Sequence, residues 1–145
     1  MAHDNLVPPD TSLRLGAGAG FAGDRLDPAL DLARRGGLDV LVFELLAERT
    51  IALAQRRRRA SSGPGYDQRL VERIEAVLPE TMRQGTRIIT NGGAADPRGA
   101  GQALRAMARR LGLPRCRVTA VWGDDVLDRL DLGLCLALET GEPLS

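Results

Sequence analysis

The sequence contains no lysine; all 20 of its basic residues are arginine. That excludes a Schiff-base mechanism, a pyridoxal phosphate linkage and the Walker A lysine of nucleotide-binding loops. The single histidine, His3, lies in a proline-containing N-terminal stretch. A His-based triad, a histidine zinc site and a catalytic imidazole therefore find no support. The two cysteines, Cys116 and Cys135, are 19 residues apart with no C-x-x-C spacing. They are too few for a disulfide framework, which favours a reducing, cytoplasmic compartment. Net charge is only +1, so no overall field attracts nucleic acid or an anionic membrane, and neither is expected as a partner. No apolar run reaches the roughly 18 residues of a membrane span. The first 12 residues hold no continuous apolar stretch of the signal-peptide kind. The chemistry left must rest on carboxylates, arginine, small polar groups, backbone N–H groups or a bound molecule. No cofactor can be named from these residues.

What is present describes one α/β domain. The 145 residues suit a single domain, and 43% hydrophobic with 27% charged residues is the composition of a soluble globular chain. Residues 1–11 read as a flexible tail and 12–145 as the domain. Ser12 to Leu15 starts a strand that runs into a glycine-rich loop, Gly16 to Asp24. Asp27-Pro28 suits a helix start, and Gly36-Gly37 suits its end. Leu38 to Phe43 has the length and β-formers of a buried parallel strand. Glu44 to Arg59 reads as mostly helical. Ser61-Ser62-Gly63-Pro64-Gly65 is a loop, and Tyr66 to Gln84 a second helix that Pro79 should kink or break. Thr86 to Thr90 is a third strand, Asp96-Pro97 caps another helix, and Arg117 to Trp122 reads as a fourth strand. Val126 to Leu138 is open between helix and helix followed by strand. The expected architecture is an open parallel sheet of about four strands with flanking helices, a partial three-layer sandwich.

In such a sheet ligands bind beyond the carboxyl ends of the strands. The polar and small residues collect at those ends. Gly18, Gly20 and Gly23 match G-x-G-x-x-G, and Glu44 lies 21 residues beyond Gly23, as in a dinucleotide fingerprint. Against that, Asp27-Pro28 puts the helix start beyond the loop, and Asp24 would face a phosphate with like charge. A tight turn, or a site for another anion or a carbonyl, stay open. Glu44, Glu48 and Arg49 form E-x-x-x-E-R. Read as helical, this puts both carboxylates on one face, suited to divided acid and base roles or a metal, or else to plain helix N-terminal acids. Asn91-Gly92-Gly93 could hold a carbonyl or oxyanion, or simply turn the chain. Gly123-Asp124-Asp125 could lend a carboxylate or cap a helix. Arg56 to Arg59 reads as a solvated helix end, with only Tyr66 as a nearby aromatic.

Five blocks in order also carry a resemblance. They are Gly16-Ala17-Gly18-Ala19-Gly20-Phe21-Ala22-Gly23-Asp24-Arg25, then Leu41 to Thr50 around Phe43-Glu44-Leu45-Leu46-Ala47-Glu48-Arg49. Thr90-Asn91-Gly92-Gly93-Ala94-Ala95-Asp96-Pro97 follows, then Gly123-Asp124-Asp125-Val126, and Leu138-Glu139-Thr140-Gly141-Glu142-Pro143-Leu144. Together they resemble the N-terminal domain of the acyclic terpene utilisation family, the AtuA-like proteins. The resemblance implies a bacterial cytoplasmic protein of citronellol or geraniol catabolism, where branched acids are processed as coenzyme A thioesters. Family members are several times longer, so the resemblance also implies a truncated form, lacking a C-terminal part or completing itself as a homo-oligomer. It assigns no catalytic residue.

On strand-end position alone, Glu44, Glu48, Arg49 and Asn91 are the catalytic candidates. Gly18, Gly20, Phe21, Asp24, Arg25, Gly92, Gly93 and Asp124 are the candidates for holding an acyl or acyl-CoA ligand. No metal ligand set is assigned. A non-catalytic binding or assembly domain is the alternative, and a nicotinamide-nucleotide domain a third reading.

Overall fold

A computed structural model describes residues 12–144. The expected tail at 1–11 lies outside the described residues, apart from which the chain forms an α/β unit. Its elements are β1 (Leu15–Ala19), α1 (Asp27–Arg35), β2 (Val40–Phe43), α2 (Glu48–Arg59), α3 (Leu70–Gln84), β3 (Arg87–Thr90) and α4 (Pro97–Arg110). The three strands form one parallel sheet in the order β1-β2-β3. No helix among the described residues is long and apolar enough to cross a membrane.

Register sorts the side chains into two faces, because neighbours at one level of a parallel sheet share a face. Gly16, Leu41 and Ile88 lie level on one face, with Phe43 and Thr90 further along it. This face carries the core. Leu41, Phe43 and Leu45 pack with Ala29 and Ala33 of α1, Leu70, Ile74, Val77 and Leu78 of α3, and Ala100, Met107 and Ala108 of α4. The opposite face presents Leu15, Ala17, Val40, Val42, Arg87 and Ile89. There Leu15 is 62% exposed and Ile89 57%. Val40 on the same face is buried, so this face is only partly covered. α2 is anchored at its C-terminal end. Arg57 donates to the carbonyls of Pro64 and Tyr66, and Arg58 to that of Ala95. Two members of the arginine run thus hold loops together.

Three expectations need correction. The first strand is Leu15–Ala19, so Gly16 and Gly18 belong to the strand and not to a loop. A Cβ on Gly16 would clash with the Leu38 side chain, and one on Gly18 would meet the Phe43 ring at 2.9 Å. These glycines leave room for the large side chains of the neighbouring segment. Second, the helix expected from Glu44 starts at Glu48. The Ala47 N–H donates to Thr50 Oγ1 at 2.6 Å and fixes that start. Glu44 lies between β2 and that start, outside any helix, so Glu44 and Glu48 do not share a helix face. Third, Arg117 to Trp122 forms no strand, which leaves three strands where about four were expected. The segment leans on α4, where Arg105 Nη1 donates to the Val118 carbonyl at 3.2 Å. Beyond it come a single 3-10 turn, Leu127–Arg129, and one antiparallel bridge between Leu136 and Pro143.

Two smaller points concern proline. The α3 helix runs through Pro79 to a left-handed Gly85 with no break. Asp96 caps α4 as expected, its Oδ1 accepting from Gly99 N at 2.9 Å, whereas Asp27 is the first residue of α1 and Leu26 precedes it with no side-chain cap.

Candidate functional site

The carboxyl ends of β2 and β3 are joined by one side chain. Asn91 Oδ1 accepts from Leu45 N at 2.7 Å, and Asn91 Nδ2 donates to Glu44 Oε1 at 2.8 Å. The same Glu44 oxygen accepts from Leu46 N at 2.8 Å. The Asn91 amide first, and the Leu46 N–H second, hold the Glu44 carboxyl below the usual carboxylate range, with desolvation opposing them. Glu44 is therefore a carboxylate at neutral pH. It can accept a proton or a hydrogen bond, but it has no proton to give. Glu48 and Arg49 are exposed on the first turn of α2 and lie outside this cluster.

The loop after β3 is fastened from two sides. Asp67 N donates to the Gly92 carbonyl and Ala95 N to the Gly65 carbonyl, both at 2.8 Å. Gly92 is buried; a Cβ there would meet Leu45 at 2.9 Å and Leu70 at 3.0 Å. It serves packing within the turn. Ala94 adopts φ 44°, a left-handed conformation costly for a residue with a Cβ. Strain of this kind persists only where the surroundings fix it, and here it sits beside Asn91.

The loop after β1 is closed on itself. Asp24 Oδ2 accepts from Gly20 N at 2.7 Å and Phe21 N at 3.1 Å. The N–H groups that could hold a ligand anion already hold a carboxylate. Phe21 is 60% exposed and its ring covers Gly23. A hollow of about 280 Å3 is bordered by Ala17 to Gly20, Asp24, Arg25 and Pro28. Arg25 makes an exposed ion pair with Asp27 at 3.4 Å. Beneath the loop lies Arg73, fully buried. Its Nη2 donates to the Ala22 and Asp24 carbonyls at 2.6 and 2.7 Å, while Nε and Nη1 have no partner among the described residues. The sequence carried a signal for this residue. Arg73 interrupts the apolar stripe Leu70, Ile74, Val77, and a charge on a buried stripe calls for a partner.

A larger groove, about 1230 Å3, runs along the free edge of β3. Its floor comes from Leu70, Ile74 and Leu78 of α3, Ile88 of β3, and Leu104 and Met107 of α4. Its far wall is residues 115–122, including Cys116, whose thiol is pushed up by burial. Asn91, Gly93, Ala94 and Asp124 stand at one end. Trp122 lies there too, with the Arg98 guanidinium 4.1 Å from its ring centroid. Arg58 Nη1 reaches Asp125 Oδ2 at 3.4 Å and so ties this last loop to the Ala95 turn.

The candidates thus divide. Glu44 joins Asn91 by a hydrogen bond, and Asn91, Gly93 and Asp124 border the groove. Gly18, Gly20, Asp24 and Arg25 border the separate hollow beside β1, and Phe21 lies on that loop. No group of three or more potential metal ligands occurs among the described residues.

The family described as "Acyclic terpene utilisation family protein AtuA" matches residues 13–145. The chain belongs to that family. The AtuA match covers both the β1 loop and the groove, so all the candidates lie within it. No curated protein and no solved structure matches the chain.

Proposed function

We propose that this AtuA-family chain takes part in acyclic terpene catabolism by binding a branched acyl intermediate, as the free acid or its coenzyme A thioester, in the groove along β3. The carrying observation is the groove itself: an apolar floor ending at the polar Asn91–Asp124 rim. Ligand sites have this make-up, mostly apolar with a few convergent polar groups. Asn91 and the ionised Glu44 would close the polar end of the groove beyond the apolar floor. Glu48, Arg49 and the β1 loop lie outside the groove lining.

The internal hydrogen bonds favour binding without turnover as the second reading. Glu44 Oε1 is engaged by Asn91 and Leu46, and the β1-loop donors are engaged by Asp24. The Asp24 carboxylate also weighs against a nicotinamide nucleotide on that loop, since it occupies the place of a phosphate.

Thermal melting with citronelloyl-CoA, citronellate, NAD and magnesium tests the proposal. It predicts a rise in Tm with the first two only. A rise with NAD alone would replace it by the nucleotide reading. Disappearance of the thioester over time would favour an enzyme, and stable complex formation a binding domain.

A further inference from the structure

The two ends of the groove differ in charge. At the end where β3 begins stand Arg87, Arg115 and Arg117. None of them has an ion-pair partner among the described residues. The other end holds Asn91, Asp124 and Trp122. Between the two lies the length of β3, four residues or roughly 13 Å at the usual rise per residue.

Arg87, on the sheet face opposite Ile88, and Arg115 and Arg117 are all exposed where they border the groove, so their positive charges attract an anion to this mouth. Guanidinium binds carboxylate and phosphate through paired N–H donors. The apolar floor beyond them can shield an extended hydrocarbon chain from water. We infer that the groove takes an anion with an extended apolar tail, its head on Arg87, Arg115 and Arg117 and its tail along β3 toward Trp122. This rests on the acyl-ligand reading above and adds to it a direction and a charge requirement. The head group is a carboxylate in a free acid and a phosphate in a coenzyme A thioester, and both have the required chemistry.

Trp122 is the only tryptophan in the chain, so its emission reports on the groove. The full chain is titrated with citronellate, citronelloyl-CoA and the uncharged citronellol, with melting curves recorded in parallel. Entry of the tail moves Trp122 emission to shorter wavelength. Arg115→Glu combined with Arg117→Glu, both at exposed positions, lowers affinity for at least one of the two anions tenfold or more. It leaves citronellol unchanged. Loss for both anions identifies a head site that reads either anion; loss for citronellate alone identifies the carboxylate, and loss for the thioester alone identifies the phosphates. Arg115→Lys with Arg117→Lys retains most of the affinity. Unchanged affinity for both anions after charge reversal overturns the inference. So does stabilisation of the protein with no change in Trp122 emission, which leaves the acyl reading standing and moves the ligand elsewhere. No stabilisation by any of the three compounds overturns both.

Discussion

Replacing Asn91 tests the join between the strand ends. In Asn91→Ala the buried-side acceptor of Leu45 N is lost, and Leu45 is only 2% exposed. An N–H left unsatisfied in such surroundings costs about 1–3 kcal/mol. The exposed Asn91–Glu44 contact adds little, because solvent competes for it. Asn91→Ala should therefore destabilise the chain by about 2 kcal/mol, or roughly 6 °C in Tm for a chain of this length. Asn91→Asp is the sharper perturbation. It keeps the acceptor for Leu45 N but replaces the donor to Glu44 by a second carboxylate at the same close distance. Two ionised carboxylates there repel, so one proton must be shared and the folded pair titrates above the ordinary carboxyl value. A folded value raised above the unfolded one means stability is intact below the unfolded value and is lost as pH rises through the folded one. Asn91→Asp should thus match the parent at pH 4 and fall below it at pH 7. In the parent the sign is opposite. Glu44 is held low, so its contribution is present above its ordinary value and is lost as pH falls through the lowered one. Urea unfolding at several pH values reads both effects. An Asn91→Ala midpoint equal to the parent's, or an Asn91→Asp profile parallel to it, would refute the role given to this side chain.

Three further outcomes follow from the geometry. Gly92→Ala places a Cβ against Leu45, Leu70 and Thr90 Oγ1, so overpacking should cost about 1–3 kcal/mol in urea unfolding, whereas a free surface turn would accept it. Arg73→Ala strips the Ala22 and Asp24 carbonyls of their donor and should speed amide hydrogen exchange at residues 20–24 well beyond any change at β3. Glu80 is held at about 2 by hydrogen bonds from Arg83 and then Gln84; its contribution is present above the ordinary carboxyl value and fades as pH falls toward 2. Arg83→Gln should raise the Glu80 carboxyl toward its ordinary value in an NMR titration, and an unmoved value would show that the contact is not formed in solution.

The parallel sheet was legible where one physical requirement dominated. Val40 to Phe43 is continuously apolar and forms the central strand, flanked by β1 and β3, and Asp96-Pro97 carries its cap in the letters. Glycine misled. Gly16 and Gly18 look like a phosphate loop, yet their missing side chains serve Leu38, Phe43 and Leu41 across the strands. Spacing alone also misled at Glu44 and Glu48, because i and i+4 mean a shared face only inside a helix, and Thr50 sets the helix start later. The pattern of Arg117 to Trp122 permits a strand but cannot supply the partner edge; contact with α4 takes its place. The candidate site was half legible. Strand-end reasoning named Glu44, Asn91, Gly93 and Asp124, of which the last three border the groove and Glu44 bonds to Asn91. It could not find the groove floor, which forms only when α3 and α4 meet β3. Nor did it find Arg87, Arg115 and Arg117, which no local motif connects.

The claim that the β3 groove, and not the β1 loop, receives the ligand is tested most directly by NMR. Amide and indole resonances of the isotope-labelled chain are followed during a citronelloyl-CoA titration. The account predicts shifts at Ile88 to Ala94, at Leu104 and at the Trp122 indole, with Gly18 to Arg25 unmoved. Shifts confined to Gly18 through Arg25 would contradict it.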